Sequence, residues 1–367
     1  MNSLIVADSE RSADMLYATG FFAPDPYIFL EAGGKKSIVL NDLEIDRGRR
    51  TALVDEVVAS SDIRQRIKGK GEPAPAEILI QFLREKRVRK ARVPYDFPAG
   101  LARTLEQAGI RLKPVPGLFW PQRELKSEAE AKLIGKALRI TEAGMARGIE
   151  VLRESRITGR NLVWADRKLT SEILRAEIDS AILRAGGIPA NTIVAGGLQA
   201  CDPHERGAGP LRPNDLIILD IFPRDAKSGY YGDMTRTVVR GKASEAQRKL
   251  WLAVQKGQEM SFRGMKPGAS GAAIQDRVRD FFAKEGYPTE RRKGRWVGFF
   301  HGVGHGLGLE IHEEPRFGRT KFQPGQVITV EPGIYWPGIG GARLEDVGCI
   351  TATGVRKLSR FPQEIEI

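Results

Sequence analysis

A chain of 367 residues with 41% apolar content can bury a large core, and at ~100–200 residues per domain its length suggests two domains. No run approaches the ~18–20 uninterrupted apolar residues of a membrane helix, so a bilayer partner is not expected. The net charge of +12 invites a nucleic-acid reading, but the basic clusters Arg84 to Arg92 and Arg291 to Arg295 lack an RNP-like aromatic pattern, a zinc knuckle or a basic heptad array. They read as two solvated surfaces, and no nucleic-acid partner is expected.

The first residues, Met1 to Tyr17, carry Asp8, Glu10 and Asp14 and an apolar run only from Leu4 to Ala7, too short for a signal h-region. Only two cysteines are present, Cys201 and Cys349, far apart and without a CxxC motif. Both features fit a reducing cytoplasm.

From Asn2 to about Val115, apolar strands at Tyr27 to Leu30, Ser37 to Leu40 and Arg92 to Tyr95 alternate with helical patterns at Ser12 to Tyr17, Pro75 to Arg84 and Ala99 to Ala108. This predicts a small α/β domain. Pro114, Pro116, Gly117 and Pro121 then punctuate a stretch expected to be a linker. The pattern that opens at Lys126 and runs to about Ser155 predicts a long helix, capped by Ser127 and with early glutamates at the positive end of its dipole. Further helices are predicted at about Leu169 to Ala185, Ala243 to Arg263 and Gly271 to Glu285, separating short strands. Domains at 1–122 and 123–367 follow, in an α/β (α+β) architecture.

The chemistry-bearing residues lie in the second domain. Three of the four histidines fall within twelve residues, in His301-Gly-Val-Gly-His305-Gly-Leu-Gly-Leu-Glu-Ile-His312; the fourth is His204. Histidines amid four glycines are poor packing material, and the glycines are expected to let backbone approach a ligand closely.

Two apolar strands end in an acid and are followed by a turn and another acid. One pair is Asp220, closing Leu216-Ile-Ile-Leu, and Asp233; the other is Glu331, closing Val327-Ile-Thr-Val, and Glu345. The intervals of 13 and 14 residues suggest similar hairpins in two related half-domains. Buried acids need neutralisation. Arg236 and Arg343 could each pair with one, but two divalent cations would balance all four, with a neutral imidazole completing the shell. An oxygen-rich set with one imidazole suits Mn²⁺ or Co²⁺, with Zn²⁺ also compatible. Asp225 could compete with Asp220, although it sits in a charged, turn-like stretch rather than at a strand end.

In chain order, His-Gly-Val-Gly-His-Gly-Leu-Gly-Leu-Glu-Ile-His-Glu-Glu-Pro, Val-Glu-Pro-Gly-Ile-Tyr and Gly-Ala-Arg-Leu-Glu-Asp resemble the Xaa-Pro aminopeptidase and prolidase branch of the pita-bread metallopeptidases. The match extends upstream to Gly-Asp-Met-Thr-Arg-Thr and Ala200-Cys-Asp-Pro-His204. The resemblance implies a creatinase-type N-terminal domain and a pita-bread catalytic domain. It implies Asp220, Asp233, His305, Glu331 and Glu345 as ligands of two metal ions, with Asp233 and Glu345 bridging and Glu331 helping to move a proton. His204, His301 and His312 become groups that contact substrate and stabilise an oxyanion, with Tyr335 and Arg343 ordering them.

The substrate implied is a peptide with proline at its second position, and the assembly implied is a homodimer. The ligand set argues against creatinase, and the short interval between the two glutamates argues against methionine aminopeptidases. The interval from Asp220 to Asp233 is longer than the family's usual one, which bears on the mouth of the site. Arg316 and Arg319 could fork a dipeptide's carboxylate, but as ordinary loop cations they would leave it unread. The expectation is therefore an aminopeptidase acting on longer peptides, with an Xaa-Pro dipeptidase as the alternative and a non-catalytic binding module as the remote one.

Overall fold

A computed structural model describes residues 2–67 and 71–367. Its backbone separates into two compact units, Met1–Pro121 and Gln122–Ile367. Among the described residues no helix is long and apolar enough to cross a membrane.

The first unit is built on a six-stranded mixed sheet. Its strands lie in the order Glu56–Ala59, Lys35–Leu40, Tyr27–Ala32, Asn2–Ala7, Lys90–Pro94 and Arg111–Val115. Tyr27–Ala32 and Lys35–Leu40 form a tight antiparallel hairpin, Asn2–Ala7 also pairs antiparallel with Tyr27–Ala32 although helix Ala13–Thr19 connects them, and the remaining three neighbours pair parallel across longer helical connections. Helix Pro75–Glu85 begins on a proline whose missing N–H costs nothing in the first turn, and packs Ile78, Leu79, Phe82 and Leu83 on the sheet. The strand Arg111–Val115 runs through Pro114, which the sequence assigned to a linker. It pairs on one side only, so proline is tolerated at the edge.

The second unit opens with helix Glu128–Glu154. Ser127 Oγ accepts from Glu130 N while Glu130 Oε2 accepts from Ser127 N, closing a capping box. Its buried stripe, including Ile134, Leu138, Met145, Ile149 and Leu152, recurs every three or four residues. With helix Ser171–Arg184 it covers an antiparallel sheet of Ile193–Gly196, Leu216–Ile221 and Met234–Val239. A second helix pair, Glu245–Gly264 and Gly271–Lys284, packs on the strands around Val327–Val330.

Two layers of helix pair on sheet result, but the two acid-bearing segments differ. Between Leu216–Ile221 and Met234–Val239 lies only the two-residue strand Arg224–Asp225, which pairs with Gly187–Ile188, whereas Val327–Val330 and its partner Asp346–Ile350 are separated by a whole hairpin, Gly333–Trp336 with Gly340–Arg343.

One buried ion pair ties the C-terminal segment to this core. Arg236 Nη2 donates to Asp346 Oδ1 at 2.9 Å, and its other donors reach the carbonyls of Thr235, Glu345, Phe361 and Pro362. Both side chains are almost wholly buried. Arg236→Met would leave Asp346 short of a cation and four carbonyls short of donors. It is expected to lower unfolding free energy by about 3–5 kcal/mol, read by denaturant titration; a loss under 1 kcal/mol would mean that Lys357, which also reaches Asp346, suffices alone.

Candidate metal centre

The acids of interest stand at strand ends for a reason that pairing makes plain. Asp220 is opposite Thr235, and Asp233 is two residues before Thr235, so all three side chains leave the same face of the antiparallel pair. Glu331 and Glu345 lie one step beyond the paired Val330 and Asp346, and face each other in the same way. Thr235 joins the two pairs, because its Oγ1 donates to Glu345 Oε2 at 2.9 Å and its carbonyl accepts from Glu345 N at 3.0 Å. His305 begins the short strand His305–Gly306, held by Thr329 Oγ1 on its N–H at 3.0 Å.

Donor atoms of Asp233, His305 and Glu345 lie within 4.8 Å of one another. Glu331 Oε1 is 3.3 Å from His305 Nε2, while Asp220 turns one oxygen to Arg343 Nη2 at 2.7 Å. The pairing raised for Arg343 is thus present, whereas Arg236 pairs with Asp346 and with none of these four acids. Asp225 stays out of the group; its carboxylate closes its own turn, accepting from Lys227 N at 3.1 Å.

Electrostatics show what the cluster is fit to hold. Burial, reinforced by neighbouring carboxylates, raises the Asp233 and Glu345 carboxyls well above the ordinary range and pushes Glu331 up to about 8. Burial, with His312 alongside, pushes His305 down to about 3, which makes its imidazole neutral at pH 7. His305 Nδ1 faces the Gly306 carbonyl at 3.1 Å and must donate to it. Its Nε2 lone pair therefore points at Glu331 Oε1 and at Asp233 Oδ2, 3.7 Å away. Such a contact needs a proton or a cation between the two atoms; the raised Glu331 carboxyl supplies the proton when no metal is bound. Asp220 Oδ1 is likewise buried with no hydrogen-bond partner. Four acids and a neutral imidazole in this arrangement fit two divalent cations.

A second layer surrounds the group. Arg343 Nη1 donates to the Tyr335 hydroxyl oxygen at 2.8 Å, and that hydroxyl lies 2.9 Å from His301 Nε2. His301 Nδ1 donates to the Gly302 carbonyl at 2.8 Å, so Tyr335 gives its proton to Nε2. Burial and Arg343 push His301 down to about 3. Burial also pushes Tyr335 up to about 12 despite the nearby arginine.

His204 and His312 line the same cavity of about 870 Å³, which Arg316 and Arg319 also border. His312 stacks edge-on against His305, with ring centroids 4.3 Å apart.

Three of the four glycines between the histidines are required by close packing, whereas a Cβ on Gly302 would meet nothing nearer than 3.7 Å and Gly302 borders the cavity, as does Gly304. A Cβ on Gly304 would lie 1.9 Å from the Thr329 carbonyl oxygen, and one on Gly308 would lie 2.3 Å from Glu313 Oε1. Glu313 was not singled out by sequence. It is buried, bonded by Lys126 and by Arg123 Nη2 at 2.8 Å, and anchors the segment that carries His312 and Arg316. The acidic pattern Glu-Ile-His-Glu-Glu held a hint of it, but its cations lie nearly 190 residues upstream.

The sequence profile of metallopeptidase family M24 matches residues 132–352. A protein named Xaa-Pro dipeptidase from Pyrococcus horikoshii is 31% identical over 284 residues, covering 75% of this chain and 73% of that relative. Among solved structures, an Xaa-Pro dipeptidase from Bacillus anthracis superposes with a TM-score of 0.82 at 24% identity, covering 100% of this chain and 95% of that one. An X-Pro aminopeptidase from Thermotoga maritima gives 0.83 at 22%, covering 100% and 97%. At those identities the two structures speak for the fold alone.

The proton inventory yields a stability test. Carboxyls raised in the folded state hold protons that the unfolded chain gives up near the ordinary value of 4.5, so their contribution drains as pH climbs through about 8. His301 and His305 act in the opposite sense, but only below their ordinary 6.5. Protein kept in chelator should therefore lose Tm as pH rises from 6.5 to 8, and saturating Mn²⁺ should remove that slope. A flat Tm in chelator would contradict the proton-loaded cluster.

Proposed function

The chain belongs to metallopeptidase family M24 and is a metal-dependent exopeptidase, and from that premise we propose that it is an Xaa-Pro dipeptidase using two metal ions. The observation that carries the dipeptide reading is the position of Arg316 and Arg319 on the wall of the cavity that holds the acid cluster. Sequence alone treated them as loop cations and so favoured an aminopeptidase; the relatives named Xaa-Pro dipeptidase support the alternative. Neither arginine is ion-paired among the described residues. A guanidinium fork matches the free carboxylate that only a dipeptide carries next to its proline ring.

In this reading Asp220, Asp233, His305, Glu331 and Glu345 would hold the ions. Bound divalent ions polarise the scissile carbonyl and lower the pKa of water at the site. Arg316 orients the proline carboxylate. His204 and His312 border the scissile carbonyl and donate to its oxygen as negative charge develops there, while His301, with Nδ1 spent on the Gly302 carbonyl and Nε2 accepting from Tyr335, faces the substrate without a free N–H to give it. Glu331 takes the proton of the attacking water and returns it to the proline nitrogen, which leaves as a secondary amine. Tyr335 fixes the His301 tautomer, and Arg343 holds both Tyr335 and Asp220 in place.

Manganese as the metal rests on the oxygen-rich donor set. A cytoplasmic location is supported by two buried, unpaired cysteines, and a homodimer rests on the family resemblance alone.

The test strips the protein with chelator, reloads it with Mn²⁺, and compares an Xaa-Pro dipeptide, an Xaa-Pro-Yaa tripeptide and an Xaa-Ala-Yaa control. Dipeptide cleavage well above tripeptide cleavage is expected, and Arg316→Leu should raise KM for the dipeptide roughly 10–100-fold through loss of a charged hydrogen bond. Preference for the tripeptide would return the reading to an aminopeptidase.

A further inference from the structure

The cavity presents one acid outside the metal-donor set. Asp202, Asp220, Asp233, Glu331 and Glu345 all border it, and only Asp202 stands apart from the clustered strand ends. Asp202 follows the short 3₁₀ turn Gln199–Cys201 and is exposed. The turn fixes its backbone, because Asp202 N donates to the Gln199 carbonyl at 3.1 Å and its own carbonyl accepts from Glu205 N at 3.1 Å. Its Oδ1 accepts only a long 3.4 Å contact from His204 N. No cation pairs with it among the described residues.

Apolar residues share the cavity wall with this acid. Ile193, Pro203, Phe222 and Phe300 border the same cavity. Phe300 leans on Tyr335 with ring centroids 5.3 Å apart, and packs against the small buried cluster that contains Ile193, Ala200 and Cys201. An apolar surface with one unpaired carboxylate is complementary to a side chain with an apolar stem and a cationic head. Lysine and arginine have that construction.

The end of the substrate that meets this wall follows from the proposed dipeptidase reading, on which this inference rests. With the proline carboxylate on Arg316, in the segment Ile311 to Arg319, and the scissile bond over the acid cluster, the N-terminal residue is left to the wall of Ile193, Asp202, Pro203 and Phe300. We propose that Asp202 is a specificity-determining residue that selects peptides whose N-terminal residue, preceding proline, is lysine or arginine. An acidic first residue is disfavoured by the same carboxylate, and a short apolar one gains nothing from it.

The experiment uses the full chain loaded with Mn²⁺ and reads kcat/KM for Lys-Pro, norleucine-Pro and Glu-Pro. Norleucine matches the length of the lysine stem and lacks the charge, so the Lys-Pro to norleucine-Pro ratio isolates the ion pair from the packing. A ratio of about 5 is expected in the wild type, the size of a solvent-accessible ion pair, and it should shrink as salt is raised. Asp202→Asn should bring the ratio to about 1, and Asp202→Lys should place Glu-Pro above Lys-Pro. Each ratio is internal to one variant, so a general loss of activity does not mimic the effect.

A wild-type ratio near 1, or a ratio that Asp202→Asn leaves in place, would overturn the proposal while any dipeptide cleavage keeps the dipeptidase reading alive. If only tripeptides are cleaved, the dipeptidase reading fails, and the same ratio on Lys-Pro-Ala and norleucine-Pro-Ala decides the role of Asp202 separately. Cleavage of none of these peptides overturns both.

Discussion

Desolvation of four carboxylates at one point is the constraint on which the catalytic unit is built. Carboxylates of this kind are not stable neighbours in a dry interior, and the protein's response without cations is to hold protons on Asp233, Glu345 and Glu331. The apolar strands Leu216–Ile221 and Val327–Val330 supply the dry walls, and the antiparallel registers aim each pair of acids at the same face. Thr235, bonded to Glu345 through both its side chain and its carbonyl, keeps the two pairs in register with each other.

Strand alternation separates this cluster from its closest like-charged neighbour. Glu345 and Asp346 are adjacent in sequence and point to opposite faces. Burial, reinforced by the other carboxylates, raises the pKa of Glu345. Asp346 is buried too, and burial works against its charge, yet Arg236 and Lys357 hold it below the usual carboxylate range. Two acids one residue apart thus take opposite protonation behaviour from their surroundings alone. Arg343 performs a third role: it neutralises one oxygen of Asp220, leaves the other without a partner, and carries order outward through Tyr335 to His301.

Around that centre, the cavity wall is assembled from segments distant in sequence. Glu313, locked by Arg123 and Lys126, fixes the loop that presents His312 and Arg316. The turn at Gln199–Cys201 presents Asp202 and His204. A peptide entering here meets guanidinium groups, imidazoles and a lone carboxylate, each on a different support. Replacing a residue on one support need not disturb the buried acids on another.

What the sequence determined by itself was whatever repeats locally. Helical periodicity and capping residues placed the helix at Glu128–Glu154 from Ser127 onward, and the others within a few residues, because a helix depends on neighbours three and four apart. Strand-ending acids were legible because hydrophobic runs that stop on a carboxylate are short-range patterns. The strand through Pro114 was not legible, since edge position is a property of the sheet. Nor was the reason for Gly304 and Gly308, because Gly304 answers to Thr329 and Gly308 to Glu313 across the fold. Only the tertiary structure decided that Arg343 meets Asp220 while Arg236 meets Asp346, that Glu313 finds Arg123 and Lys126, and that Arg316 and Arg319 border the cavity. Charge pairing acts through space over partners more than 100 residues apart, and a cation's sequence position does not say which acid it reaches until register and burial have been fixed.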